Sequence, residues 1–541
     1  YIGNITSDFK VSALFGRGLT SSTQSIPFAS RNCPSVIDQN GAEIGCFVAN
    51  PLINTDKRKA YRLDFEYNLG DFLVGSHLIR LGADQEKNAS LNSSVQAGGS
   101  DYEIEDKLAG DSFNQISSQT APADGRYVEV GTFIAGGNFK EDLSAFYIED
   151  EWAIGPVTMN IGARKERFKN KFPDGSTYVD LKGDVAPRLG ISWDVLGDGN
   201  TKLYGTYGDY YIPLGTQAAV RNGGGEFNRV DIYNYAGPGT SPTNTPQLGA
   251  LVGSQVFSNG TNSDPSSLVD PKSKPSYQTE MTAGFQTLLP EQYFGAKASG
   301  GIRFIYRDLK RTLEDVAVDS GLNALLAGNA NVLNGDCDED GVADTTGFAC
   351  GFDYYFLTNP ANPTAQVALD VNSMGQIINT HSPVRDANGD PLPEYVSAGL
   401  TPVTVSNADM GYVKPKRKYY AVELTYEKSF SKKWFLSSSY TWSQSYGNYE
   451  GFINSDIEQS DVGITQDFDQ PGLSDNAYGF LPNDRRHSLK LFGNYQLNDQ
   501  WSIGGNVLVR GEVGLRCEHV VEWGYHCVKH VVGPKAKDSV N

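Results

Sequence analysis

With 541 residues, 39% of them hydrophobic, 59 glycines and 29 tyrosines, the chain is long enough for several soluble domains, yet it repeats no domain and has no helical period of useful length. No run of eighteen apolar residues exists, which excludes an α-helical membrane span. A formal net charge of −19 excludes nucleic acid as a partner, since phosphates require basic patches; it fits either solvated acidic loops or specific cation binding.

Alternation of apolar and polar residues marks candidate strands at 9–15, 60–69, 72–84, 126–134, 144–154, 157–168, 186–195, 202–211, 276–288, 297–308, 418–428, 434–444, 486–497 and 501–510. In the second, Tyr61, Leu63, Phe65, Tyr67 and Leu69 alternate with Arg62, Asp64, Glu66 and Asn68. Phe146, Ile148, Trp152 and Ile154 then turn at Gly155-Pro156 into Val157, Met159, Ile161 and Ala163. Tight turns fall at 69–72, 154–157, 196–201, 288–294, 429–433 and 497–500, and Phe72, Trp434 and Trp501 stand at the starts of strands that follow them. The other strand ends lead into long polar connections, about 16–59, 85–125, 169–185, 212–275, 309–417 and 445–485.

Ten residues at roughly 3.3 Å each, tilted by about 40°, cross about 25 Å, the apolar height of an outer membrane. Period two at that length, with tight turns at one end and long loops at the other, predicts an all-β fold, a transmembrane antiparallel β-barrel. Turn-end aromatics predict an interfacial girdle. Lipid leaves no backbone group unpaired, so the membrane reading requires closure. Leu63, Phe65, Ile161, Phe304, Leu424 and Leu491 should face lipid, and Arg62, Glu66, Arg164, Arg303 and Glu423 the lumen. The whole of 1–541 reads as barrel, with short periplasmic turns and long extracellular loops. Loops this long are functional when present, which places binding there. The chain begins at Tyr1 without Met or a signal peptide, and export needs one, so the expectation is a processed or partial form of a longer protein.

Six cysteines form three local pairs, Cys33 with Cys46, Cys337 with Cys350 and Cys517 with Cys527. Each pair lies on the long-loop side, so disulfides formed on an oxidising route are expected. For the last pair a second reading stays open. Cys517, His519, His526, Cys527 and His530 are soft-metal ligands, in a spacing that matches no zinc finger. Asp336, Asp338, Asp340, Gly341 and Asp344 supply oxygens at positions 1, 3, 5 and 9 of a calcium loop, with glycine at 6 and the Val342 carbonyl at 7. Position 12 is Gly347 instead of a bidentate acid, so the expected calcium affinity is weak; a plain acidic turn is the alternative. No catalytic motif emerges, and His77, His381 and His487 are scattered, so no enzyme is expected.

Lys418–Lys428, Ser439-Tyr-Thr-Trp-Ser443, Gly447-Asn-Tyr-Glu-Gly451 and Leu481-Pro-Asn-Asp-Arg-Arg-His487, in that order, resemble the later barrel strands of TonB-dependent outer-membrane receptors, particularly the Oar-like group. Pro187-Arg-Leu-Gly190 and Lys202-Leu-Tyr-Gly-Thr-Tyr207 extend the resemblance. It implies a Gram-negative outer membrane and about 22 strands around an N-terminal plug, with TonB as energising partner. The chain departs from that pattern: no plug or TonB box is read in it, about fourteen strands are, and it ends in Lys537-Asp-Ser-Val-Asn541 instead of a strand with a terminal aromatic.

The expected function is a receptor and transporter that captures a small molecule, peptide or protein with its long loops and passes it through a plugged barrel. Two further readings are a calcium-stabilised surface binding or structural barrel without active transport, and a surface hydrolase supported only by scattered acids and histidines.

Overall fold

A computed structural model of the chain describes residues 1–23, 33–46, 52–114, 116, 119–223, 225–338, 340–386, 390–453, 465–511, 513–520 and 524–531. Among the described residues thirteen long strands form its wall, with the short Ile2–Asn4 paired on the edge of the first: β1 (Phe9–Thr23), β2 (Leu52–Asp71), β3 (Ser76–Val95), β4 (Gly125–Ile154), β5 (Val157–Lys171), β6 (Ala186–Asp194), β7 (Thr201–Ile212), β8 (Ser276–Leu288), β9 (Ala298–Arg311), β10 (Arg417–Ser431), β11 (Trp434–Gly447), β12 (His487–Gln496) and β13 (Ser502–Gly511). Each pairs antiparallel with its neighbours in this order. This is the up-and-down wall of a β-barrel; among the described residues no ladder joins β13 to β1.

The alternating faces sort as the period requires. Register carries Leu63, Phe65, Ile161, Phe304 and Leu424 onto the outer face, where Leu63, Ile161, Phe304 and Leu424 are exposed, and Leu491 shares their side through Ser438 and Tyr440. The other face holds charge. Arg80 reaches Glu66 at 3.1 Å and Glu151 at 2.8 Å, Arg164 reaches Asp84 at 2.8 Å, Arg303 pairs with Glu423, and Arg307 with Glu280. Ion pairs between nearby strands keep a wet interior neutralised where lipid would exclude charge. Aromatics gather at the short-turn end, with Phe72, Trp193, Phe430 and Trp501 all exposed, and a higher row holds Tyr306 and Tyr420, 5.1 Å apart, with Trp442 nearby. These two rows bound the apolar band.

The sequence boundaries need correction. β1 runs to Thr23, β2 starts at Leu52 and β3 runs to Val95, into segments 16–59 and 85–125 expected as connections, because their mutual pairing continues the ladder beyond the alternating stretch. Segments 126–134 and 144–154 are one strand, the thirty-residue β4, so fourteen candidates become thirteen. Gly136 and Gly137 lie inside it. Gly137 has φ +157°, and a Cβ there would lie 2.3 Å from Pro173 Cγ; only glycine fits. Segment 72–84 starts as strand at Ser76, because residues 72–75 form the turn that Phe72 N–H closes onto Gly75 O at 3.1 Å.

Beyond the wall, at the long-loop end, the connections fold. The top of β4 pairs on one edge with Asp101–Lys107 and on the other with Phe227–Gly237, which carries Gln247–Asn259 in turn; Val36–Ile37 lies parallel to Asp101–Lys107. Helices Thr216–Gly223 and Asp319–Leu326 and two small sheets complete this region. One buried core joins Val316, Leu322, Phe356, Leu369 and Val405, and another joins Phe139, Phe172, Leu181 and Leu313. Val513–Val520 and Gly524–Val531 form a separate hairpin that sets Cys517 opposite Cys527; the side chains of residues 512–541 lie outside the described residues.

Candidate functional site

Three of the long connections meet in a cleft of about 800 Å³. One wall is strand Gln247–Asn259, contributing Leu251, Gly253, Ser254, Gln255 and Phe257; the others are Gln119 and Thr120, and the segment from Thr380 to Pro391 with His381, Arg385 and Asp390. Among the described residues, Gln247–Asn259 is paired along one edge only, to Phe227–Gly237. The cleft therefore offers a strand edge, amides and both signs of charge. That mixture suits a polar or extended ligand.

The segment from Thr380 is held from below. Asn379, fully buried, donates to Phe348 O at 2.7 Å and Asp353 at 2.6 Å, and its carbonyl accepts from the His381 and Ser382 backbones. Thr380 Oγ1 donates to Asp370 at 2.9 Å. His381 packs edge-on against Tyr354 at 4.6 Å.

The acidic loop adjoins this support. Asp336 N–H donates to Ser382 O at 2.9 Å, and the structure bridges Cys337 to Cys350 with Cα atoms 5.1 Å apart. Asp336, Asp338 and Asp340 bring carboxylate oxygens within 4.8 Å of one another. Asp344 is not brought into that trio: its carboxylate accepts from Cys337 N–H at 2.7 Å and lies beside the cystine. Val342 is exposed, and its N–H donates to Asp340 at 2.8 Å. Burial, then the Asp340 and Asp338 charges, push the Asp336 carboxyl up, opposed by the Gly341 and Asp340 amides. Donor chemistry here is all oxygen, as a hard cation requires. Cys33 and Cys46 are also bridged, with Cα atoms 5.6 Å apart. The pairing expected of Cys517 with Cys527, and the alternative metal site with His519, His526 and His530, fall on side chains outside the described residues.

Gln119, Gln255 and His381 were not singled out in the sequence as site residues, because each comes from a different connection and no spacing links them. A second concavity, about 790 Å³ between Met159, Ile161, Leu189, Met281, Phe304 and Trp442, lies on the outer face against lipid.

A charged lumen, an apolar aromatic-bounded exterior and folded connections at one end define an outer-membrane β-barrel. Its barrel portion resembles the TonB-dependent outer-membrane receptors of Gram-negative bacteria, in particular the Oar-like group. The TonB-dependent transporter Oar of Myxococcus xanthus is 24% identical over 384 residues, which cover 70% of this chain and 30% of that protein. The chain thus spans less than a third of that relative's length. No family model matches. Among solved structures, the outer-membrane transporter YddB of Escherichia coli aligns with 96% of this chain and 50% of its own at TM-score 0.49 and 9% identity. The siderophore receptor PiuA of Acinetobacter baumannii aligns with 94% and 53% at TM-score 0.43 and 9% identity. These relatives are transporters and receptors, not enzymes.

Proposed function

We propose that the chain forms the barrel of an outer-membrane receptor whose long-loop end faces outside, captures a ligand in the cleft between Gln119, Gln255 and His381, and releases it into a plugged lumen with energy drawn through TonB. The cleft carries this reading: three connections, from separate parts of the chain, converge on one pocket at the long-loop end of a charged lumen. Plug and TonB coupling follow from the resemblance to Oar. The acidic loop Asp336–Asp344 is proposed as a weak calcium site that stiffens the segment under His381, through the Asp336–Ser382 hydrogen bond.

The test uses the full-length protein in its own outer membrane. Ser254→Cys should react with a membrane-impermeant maleimide on intact cells. Ser254→Trp, which fills the cleft, should abolish the depletion of at least one solute of the growth medium, read by mass spectrometry, and a protonophore should stop the same depletion in the parent. No labelling overturns the orientation. Unchanged depletion in Ser254→Trp overturns the cleft as the capture point, and depletion indifferent to the protonophore overturns TonB coupling.

A further inference from the structure

The sheet above β4 carries a second group of acids, separate from both the cleft and the Asp336 loop. Glu103 and Glu105 point from the same face of Asp101–Lys107, and register sets Glu103 directly across from Glu129 on β4. Carboxylate oxygens of all three lie within 4.8 Å of one another. Like charges opposed on a ladder destabilise it, and here two of the three are buried: Glu129 is 2% exposed and Glu105 8%.

The polar partners do not balance that charge. Lys107 Nζ stands 2.8 Å from Glu105 Oε2, and the Asn114 amide donates to Glu105 Oε1. Asn114 N–H donates to Glu129 Oε1 at 3.0 Å. Glu129 Oε2 has no hydrogen-bond partner and is sealed from solvent. One ammonium thus faces three carboxylates, and an orphaned carboxylate oxygen sits inside the group. Burial, then the charges of Glu105 and Glu103, push the Glu129 carboxyl up.

We propose that Glu103, Glu105 and Glu129 form a calcium site, in which the orphaned Glu129 oxygen becomes a ligand and the ion clips Asp101–Lys107 to β4. Oxygen-only donors select a hard cation over zinc or copper, and calcium takes roughly 6–8 oxygens in flexible geometry, which carboxylates and water supply. Asn114 bonds two of the three ligands and belongs to the connection that also contributes Gln119 and Thr120 to the cleft. Calcium here fixes one cleft wall from behind.

The experiment titrates calcium into the detergent-solubilised full chain, stripped with EDTA, by calorimetry at pH 7.5, beside Glu129→Gln, Glu103→Gln and the double variant Asp338→Asn/Asp340→Asn. Heat-modifiable gel mobility confirms that each variant is folded; Glu103 is the less buried ligand and serves if Glu129→Gln does not fold. Either glutamine variant should lose one bound calcium relative to the parent, whereas the double aspartate variant should retain this one. Amide exchange across 101–114 should slow about a hundredfold at calcium a hundred times its dissociation constant, in the parent but not in the glutamine variants. A parent that binds no calcium, or binds it only in an Asp338/Asp340-dependent way, overturns the proposal. So does exchange across 101–114 that follows pH but not calcium, which is the signature of a shared proton.

Discussion

Removing one hydroxyl should unlatch two long connections from each other without touching the wall. Tyr449, just past the end of β11, donates from its phenol to Glu314 Oε1 and accepts from Thr312 Oγ1 at 3.0 Å, while Thr465 N–H donates to Glu314 Oε2 at 2.8 Å. Glu314 and Thr465 are fully buried, and Thr312 is 3% exposed. Tyr449→Phe keeps the ring against Phe468, 5.8 Å away, but strands the Glu314 oxygen and the Thr312 hydroxyl. Each buried group left without a partner costs about 1–3 kcal/mol, so the latch between 312–317 and 465–469 should weaken by roughly 2–4 kcal/mol, a rise of about 30-fold to 1,000-fold in local opening. Hydrogen exchange by mass spectrometry reads this directly, with wall peptides from β8 and β9 as the internal control. Burial holds the Glu314 carboxyl well above 4.5, reinforced by Asp315 and Asp467 and opposed by Thr465 N–H and the Tyr449 hydroxyl. A raised folded-state pKa gives stability that is complete below the unfolded value and is lost as pH rises through the folded one. After correction for intrinsic exchange, latch protection should therefore fall with rising pH in the parent and stay flat in Glu314→Gln. Unchanged protection in Tyr449→Phe, or an opposite pH slope, refutes the reasoning.

Phe304→Arg places a cation on the lipid face and should cost about 2–4 kcal/mol in a urea titration from lipid vesicles, whereas Ile305→Arg, on the lumen face, should cost far less; equal costs would contradict the register. Asp340→Ala removes the cap on the Val342 amide and one of three clustered carboxylates; it should raise protease cleavage within 312–416 and abolish any calcium protection of that connection, and cleavage indifferent to calcium in the parent would leave the loop a plain acidic turn. Non-reducing peptide mapping should find Cys517 joined to Cys527, and free thiols or bound zinc there would overturn that pairing.

Alternation made the wall legible. Tyr61 to Leu69 can satisfy lipid on one side and water on the other only as a strand, and the register of β2 on β3 follows from the same period. Segments 126–134 and 144–154 read as separate strands, whereas β4 runs through both, with Gly137 admitting Pro173 to the strand surface. The cluster of Asp336, Asp338 and Asp340 was legible because its carboxylates stand two residues apart in one segment, while Asp344, predicted with them, lies apart beside the cystine. Glu103 and Glu129 face each other only through pairing across an intervening connection, and local spacing is blind to it. Gln119, Gln255 and His381 are more distant still. The strands inside the loops are two to thirteen residues long, and their burial comes from tertiary contacts instead of a surface that imposes a period.

Those internal contacts bear on how a cleft built from loops can capture anything. Fixing one residue's backbone costs about 1–2 kcal/mol, so a flexible connection of a hundred residues would have to be ordered by its ligand. Here the ordering happens during folding. Val316, Val318 and Leu322 pack with Phe356, Leu369 and Val405 in one core, Asn379 secures the segment beneath His381, and the Cys337–Cys350 bridge fixes the neighbouring turn. β4 continues from the wall into the sheet that carries Gln255. Walls set in this way would spare the proposed capture the binding energy needed to shape them. On the proposed function, release toward the lumen calls for a local opening, and the latch of Glu314, Tyr449 and Thr465 joins two of the connections. The latch shares Tyr449 and Phe468 with the core of Val316 and Leu322, so its opening at rising pH, if hydrogen exchange bears it out, would loosen that packing with it.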